Sequence, residues 1–188
     1  MAKVKTGLVR LSYPHLAQAR ESDDGGKAKY SATLLIPKTD SETVLKIKNA
    51  IADATAEYKE KNGAQSLPPK PKNTLHDGDG TREDGTEFAP ECKGHFVITA
   101  NTVRPPLLVD QRRQEIQDGV EDVFYPGCYV VAVLNFKVYE YNGKKGITAY
   151  LNGLQFAKDG EPLGSAKMSA SEFDELSVEI DEDDDFWA

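Results

Sequence analysis

Residues 127–157 alternate apolar and polar positions on either side of an Asn142-Gly143 pair, and that pattern leaves the chain little choice of local structure. Asn-Gly is the dipeptide best able to take the two positive φ angles of a type I′ turn, so the segment reads as a long β-hairpin. In its first arm Cys128, Val130, Ala132, Leu134, Phe136 and Val138 share one face, and Tyr129, Val131, Val133, Asn135, Lys137, Tyr139 and Tyr141 share the other. In the returning arm Ile147, Ala149 and Leu151 oppose Thr148, Tyr150 and Asn152, and Gly153 marks a bulge before Leu154 and Phe156.

The rest of the chain supplies strands of the same kind. Residues 3–12 read as a strand carrying Val4, Leu8, Val9 and Leu11, with Gly7 where the alternation slips phase. Residues 27–36 set Tyr30, Ala32, Leu34 and Ile36 against Lys27, Lys29, Ser31 and Thr33, and Pro37 ends them. Residues 94–101 place Phe96, Ile98 and Ala100 on one side; Arg104-Pro105-Pro106 then separates them from Leu107-Leu108-Val109. Thr39-Asp40-Ser41-Glu42 matches a capping box, and Val44, Ile47, Ile51, Ala54 and Tyr58 form the single apolar stripe of a helix ending near Asn62-Gly63. About six strands and one helix predict a mainly β domain, a small barrel or sandwich with a packed helix. Residues 63–91 form a long connection of little regular pattern, which is the mark of a functional or disordered segment.

Charge divides the chain in two. Residues 171–188 hold nine acids and no Lys or Arg, which leaves 22 of the 31 acids against all 23 bases in the remainder. The net charge of −8 therefore belongs to a near-neutral body and an acidic terminal block, and such blocks read as disordered interaction tails. The block ends Asp183-Asp184-Asp185-Phe186-Trp187-Ala188, with the only tryptophan of the chain. Exposed aromatics bring an aggregation risk that a merely solubilising tail has no reason to carry. Ringed by charge, they suit a basic-rimmed apolar pocket on a partner, and the same polyanion is able to compete for a basic groove.

The polar face of the hairpin holds the second chemical signal. Tyr129, Tyr139, Tyr141 and Tyr150 interleave with Lys137, and Lys144 and Lys145 stand at the tip. Flat rings stack on bases of any sequence at about 1–3 kcal/mol each, and lysines neutralise phosphates, so this face suits single-stranded nucleic acid. The competing explanation is a two-sided core strand, because β-structure recruits Tyr and Val whatever the function. Lys27, Lys29 and Arg104 are the further cations assigned to the phosphate track; Lys70, Lys72, Arg112 and Arg113 are able to extend it.

Other chemistries fit less well. Asp77-Gly78-Asp79-Gly80 lacks the later ligands of a calcium loop. Asp77, Asp79, Glu91 and Lys93 are a rival set for a metal-dependent nuclease. Cys92, His95, Cys128 and His15 contain no CxxC pair, so buried thiols are expected instead of zinc. The other rival is a protein adaptor working through the tail without DNA. No cofactor or metal is expected. The longest apolar run, 128–134, is far short of a membrane span. The first seven residues have charges but no apolar stretch behind them, so no secretory signal is expected.

Ser12-Tyr13-Pro14, residues 29–38, Leu75-His76-Asp77-Gly78-Asp79-Gly80, Arg104-Pro105-Pro106 and residues 125–164 resemble the phage-encoded single-stranded-DNA-binding proteins over roughly residues 4–165. The resemblance implies an OB-fold-like Greek-key barrel over residues 1–168, an acidic tail over 169–188, non-specific binding of single strands, and a role in replication or recombination. It also implies replication or recombination proteins as tail partners and the host bacterial cytoplasm as the site of action. Homo-oligomerisation is left open. One departure stands out: a common OB barrel has its helix between the third and fourth strands, whereas this reading puts it after the second. Either a strand divides near Gly7 or the barrel is elaborated.

Overall fold

The computed structural model describes residues 3–21 and 25–164. Its strands are β1 (Lys3–Lys5), β2 (Val9–Arg20), β3 (Lys29–Pro37), β4 (Leu75–Asp77), β5 (His95–Thr102), β6 (Leu107–Val109), β7 (Tyr129–Tyr141) and β8 (Lys144–Lys158). Helix α1 (Ser41–Asn62) follows β3, a 3-10 turn spans Pro90–Cys92, and the single turn α2 (Val120–Val123) precedes β7.

Hydrogen bonding closes five strands into a ring, β2–β3–β5–β8–β7 and back to β2. Every pair in the ring is antiparallel except β5–β8. A closed five-stranded Greek-key ring is the OB-type barrel that the resemblance implies. The short strands extend it: β1 lies on β7, β4 on the first half of β5, and β6 on the second half of β8. Inside, Leu11, Leu34, Ile36, Ile98, Leu134, Leu151 and Leu154 are each 2% exposed or less. Burying a side chain of this size contributes about 2 kcal/mol, so these alternating positions carry the fold.

The hairpin forms with the expected faces. Asn142 and Gly143 have φ of 49° and 75°, and Tyr141 pairs with Lys144. The bulge falls at Asn152, since Leu134 faces Leu151 while Val133 faces Gly153. Gly153 is needed there because a Cβ would come within 2.6 Å of the Leu107 carbonyl on β6.

Two details depart from the sequence reading, and a third settles the choice it left open. The strand expected over 3–12 divides at Thr6–Leu8, and its second part runs on to Arg20. The Gly7 N–H donates to Thr43 Oγ1 at the start of α1, and a Cβ on Gly7 would lie 2.5 Å from Asp40 Oδ2, so the chain bends where the helix docks. The N-cap of α1 is Asp40, whose carboxylate accepts from Thr43 N; Thr39 does not cap, and Glu42 pairs with Lys46 instead. Finally, β1 adds no member to the ring, so α1 does follow its second strand and the barrel is elaborated.

Candidate nucleic-acid interface

The polar face of β7 and β8 opens onto two adjoining hollows, and Tyr139 and Tyr141 form the ridge between them. The first, about 570 Å³, is lined by Lys29, Val103, Thr148 and Tyr150 beside the ridge. The second, about 520 Å³, is lined by Lys70, Lys72, Lys144 and Lys145. One side of the ridge is thus rich in hydroxyl and ring groups, and the other is rich in cations.

Tyr139 owes its position to a glycine. It pairs across the hairpin with Gly146, and a Cβ on Gly146 would come within 2.8 Å of both the Tyr139 ring and the Lys72 carbonyl. That carbonyl accepts from Ile147 N at 2.7 Å, which fastens the long 63–91 connection against the start of β8. The missing side chain therefore lets the ring lie across the strand while the connection packs close by.

The cations differ in how free they are. Lys29, Lys137 and Lys144 are exposed, and Lys137 Nζ lies 5.7 Å from the Tyr150 ring centroid. Lys72 pairs with Glu83 at 3.0 Å, and this hydrogen bond raises its pKa. Lys145 is committed within the fold: Nζ donates to the Ser66 carbonyl at 3.0 Å, lies 3.6 Å from Glu140, and sits 5.7 Å from the Tyr58 ring centroid. The Tyr58 hydroxyl, followed by the charge of Glu140, raises its pKa. Lys145 is a tie between β8, α1 and the 63–91 connection.

Of the residues chosen from sequence, the structure brings together Lys29, Lys137, Tyr139, Tyr141, Lys144, Lys145 and Tyr150. Lys27 and Arg104 are exposed at the margin, next to the lining residues Gly26 and Val103. Tyr129 stands apart. It shares their face, but it lies ten residues before Tyr139 on one strand, or roughly 33 Å. Its ring is covered by Lys158 Nζ at 4.8 Å and by Gly160. Asp183, Asp184, Asp185, Phe186 and Trp187 lie outside the described residues. Val103 and Thr148 join the site without having been chosen, and only the fold brings them there; Lys70 and Lys72, named from the sequence as able to extend the phosphate track, line the cationic hollow.

The nuclease set is not assembled as one. Lys38 Nζ holds Asp77 at 2.6 Å and Asp79 at 2.7 Å, and Asp79 also accepts from Gly94 N. The Lys38 hydrogen bond keeps both carboxyls below the usual aspartate range. Among the described residues no three His, Cys, Asp or Glu are grouped to hold a metal. Cys92 and Cys128 lie in separate apolar clusters, and burial pushes the Cys128 thiol up to about 11. Among the described residues no helix is long and apolar enough to cross a membrane.

The chain matches the family model described as the ssDNA-binding protein of Enterobacter phage Enc34 over residues 2–187. Protein p50 of Acyrthosiphon pisum secondary endosymbiont phage 1 is 32% identical over 189 residues, covering 96% of this chain and 97% of its own. The single-stranded DNA-binding protein from bacteriophage Enc34, solved in complex with ssDNA, has a TM-score of 0.73 at 33% identity, over 86% of this chain and 89% of its own. The crystal structure of gp2.5, a single-stranded DNA-binding protein encoded by bacteriophage T7, has a TM-score of 0.59 at 15% identity, over 94% of this chain and 99% of its own, a likeness of fold alone. The matching family and the Enc34 structure are both named for single-stranded-DNA binding. The family match over residues 2–187 and the relatives at 32% and 33% identity place this chain in the phage ssDNA-binding protein family typified by that of phage Enc34.

Proposed function

We propose that the chain binds single-stranded DNA along the two hollows flanking Tyr139 and Tyr141, without reading sequence and without catalysis. The observation that carries this reading is the ridge itself: rings presented beside exposed lysines, in channels open to solvent. Bases of any kind stack on such rings, and the lysines meet the backbone. Family membership supports the same reading. In this role the chain covers strands exposed during phage replication or recombination in the host cytoplasm, and its acidic terminal residues recruit partner proteins and compete with DNA.

A fluorescence titration of single- against double-stranded oligonucleotides at two salt concentrations tests the reading. We expect a preference for single strands, and log K falling against log salt with a slope of about −0.7 per phosphate neutralised. We expect Tyr139→Ala to weaken oligo(dT) binding about tenfold, the loss of one stacked base. A duplex preference, or no binding in dilute buffer, would overturn the proposal; the second result would leave only the adaptor.

A further inference from the structure

A third hollow, about 750 Å³, adjoins the cationic one, and Lys72 lines both. Its floor is the outer face of β3 and β5, where the Thr33 and Thr99 hydroxyls are 3.2 Å apart. One wall is the 63–91 connection, with the Arg82 guanidinium 5.2 Å from the centroid of the Phe88 ring. On β2 it is lined by Tyr13.

Tyr13 is unusual on two independent grounds. Its φ is +42°, a left-handed conformation that favours glycine and is strained for an aromatic residue. It also remains 63% exposed, the most exposed large apolar side chain among the described residues. The conformation arises from a bulge: between the pairs Ser12–Thr33 and His15–Ser31 the strand β2 carries one residue more than β3. Bulges re-aim side chains. Here the bulge carries an exposed ring at the edge of a hollow, where it contributes little burial to repay the strain. Strained residues held in place by their surroundings concentrate at ligand sites.

We propose that Tyr13 and this hollow form a second base-binding subsite on the same DNA path, continuing from the Tyr139–Tyr141 ridge past Lys72. This rests on the single-strand-binding reading above. The Lys72–Glu83 pair is exposed, and a passing phosphate exchanges for Glu83 at small expense. A base beyond Lys72 then stacks on Tyr13 over the threonine floor. The subsite lengthens the strand that one molecule contacts, and it does so through stacking, with no need to read sequence.

The test is a ladder of oligo(dT) lengths titrated with the full-length chain and with Tyr13→Gly, Tyr13→Phe and Tyr139→Ala. We expect Tyr13→Gly to match the unaltered chain on the shortest oligomers and to bind the longer ones about tenfold more weakly. Its affinity should stop rising at a shorter length. Tyr13→Phe, which keeps the ring, should behave as the unaltered chain. Glycine suits the local backbone, so the thermal midpoint of Tyr13→Gly should not fall, which separates lost contact from lost fold. Equal affinity of Tyr13→Gly and the unaltered chain at every length would overturn the subsite, as would a Tyr13→Phe loss as large as that of glycine. If the unaltered chain bound no oligo(dT), the underlying reading would fail too. If it bound, and only Tyr139→Ala weakened it, the subsite alone would fail.

Discussion

The site is built at the level of single residues by one pairing, Tyr139 with Gly146. Alternation along β7 makes it plain that Tyr139 and Tyr141 share the face of Lys137, and the return arm adds Tyr150. The need for Gly146 is hidden in the sequence, because half of its cause is the Lys72 carbonyl, delivered by a distant connection. The glycine has an ordinary φ, so sterics alone make it necessary. We expect Gly146→Ala to destabilise the fold by about 1–3 kcal/mol, the usual range for forcing a methyl into occupied space. Urea unfolding measures it. The displaced ring should also weaken oligo(dT) binding, so stability and affinity fall together. Tyr13→Gly should part the two, with unchanged or higher stability and lower affinity. The thiols give a control on packing. Burial raises both, Cys128 to about 11, so both should resist a thiol-specific reagent in the native protein and react on unfolding.

Among the elements, the parts legible in the sequence are those whose periodicity is local. The β7–β8 hairpin, β3, β5 and α1 follow from alternation, a turn dipeptide and one apolar stripe. The extension of β2 to Arg20 does not, since Pro14 interrupts it and Leu16 is the only large apolar side chain over residues 15–20, and the pairing is supplied by β3 across a bulge. Residues 63–91 are illegible for a related reason. Their order comes from scattered ties to other elements: Ile147 N to the Lys72 carbonyl, Gly78 N to the His95 carbonyl, and Lys38 to Asp77 and Asp79. The last tie joins the end of β3 to the turn after β4, and it has a pH signature. The two carboxyls are held below their ordinary values, chiefly by Lys38. Their contribution is therefore complete above the unfolded aspartate pKa of about 4 and is lost as pH falls through the depressed folded values. Removing Lys38 should relax both carboxyls upward. We expect Lys38→Met to be less stable near neutrality and to lose less stability between about pH 5 and about pH 2 than the unaltered chain. Parallel acid-unfolding curves would sink this assignment.

Across the whole molecule, the proposed competition with DNA turns on the split between a body with 22 acids and 23 bases and a terminal block with nine acids and no base. The last described part of the chain lies close to the site. Leu163 packs against the cluster of Leu35, Cys92 and Val97, together with Phe88, and three of these four residues also line the third hollow. In the proposed competition this segment tethers the acidic block beside the third hollow, and tethering converts a weak contact into one with an effective concentration of roughly millimolar. Competition of this kind has a particular salt dependence. Added salt loosens DNA from the lysines, but it also loosens the competing acids, as the Debye length falls from about 30 Å at 0.01 M to about 8 Å at 0.15 M. We therefore expect deletion of residues 171–188 to tighten oligo(dT) binding most in dilute buffer, with the two proteins converging as salt rises. The intact chain should also show the shallower slope of log K against log salt, because part of its loss is repaid by release of its own acids. If the two slopes were equal and the affinities matched at every salt, the acids would have no contact with the DNA path, and their role would reduce to the docking of other proteins.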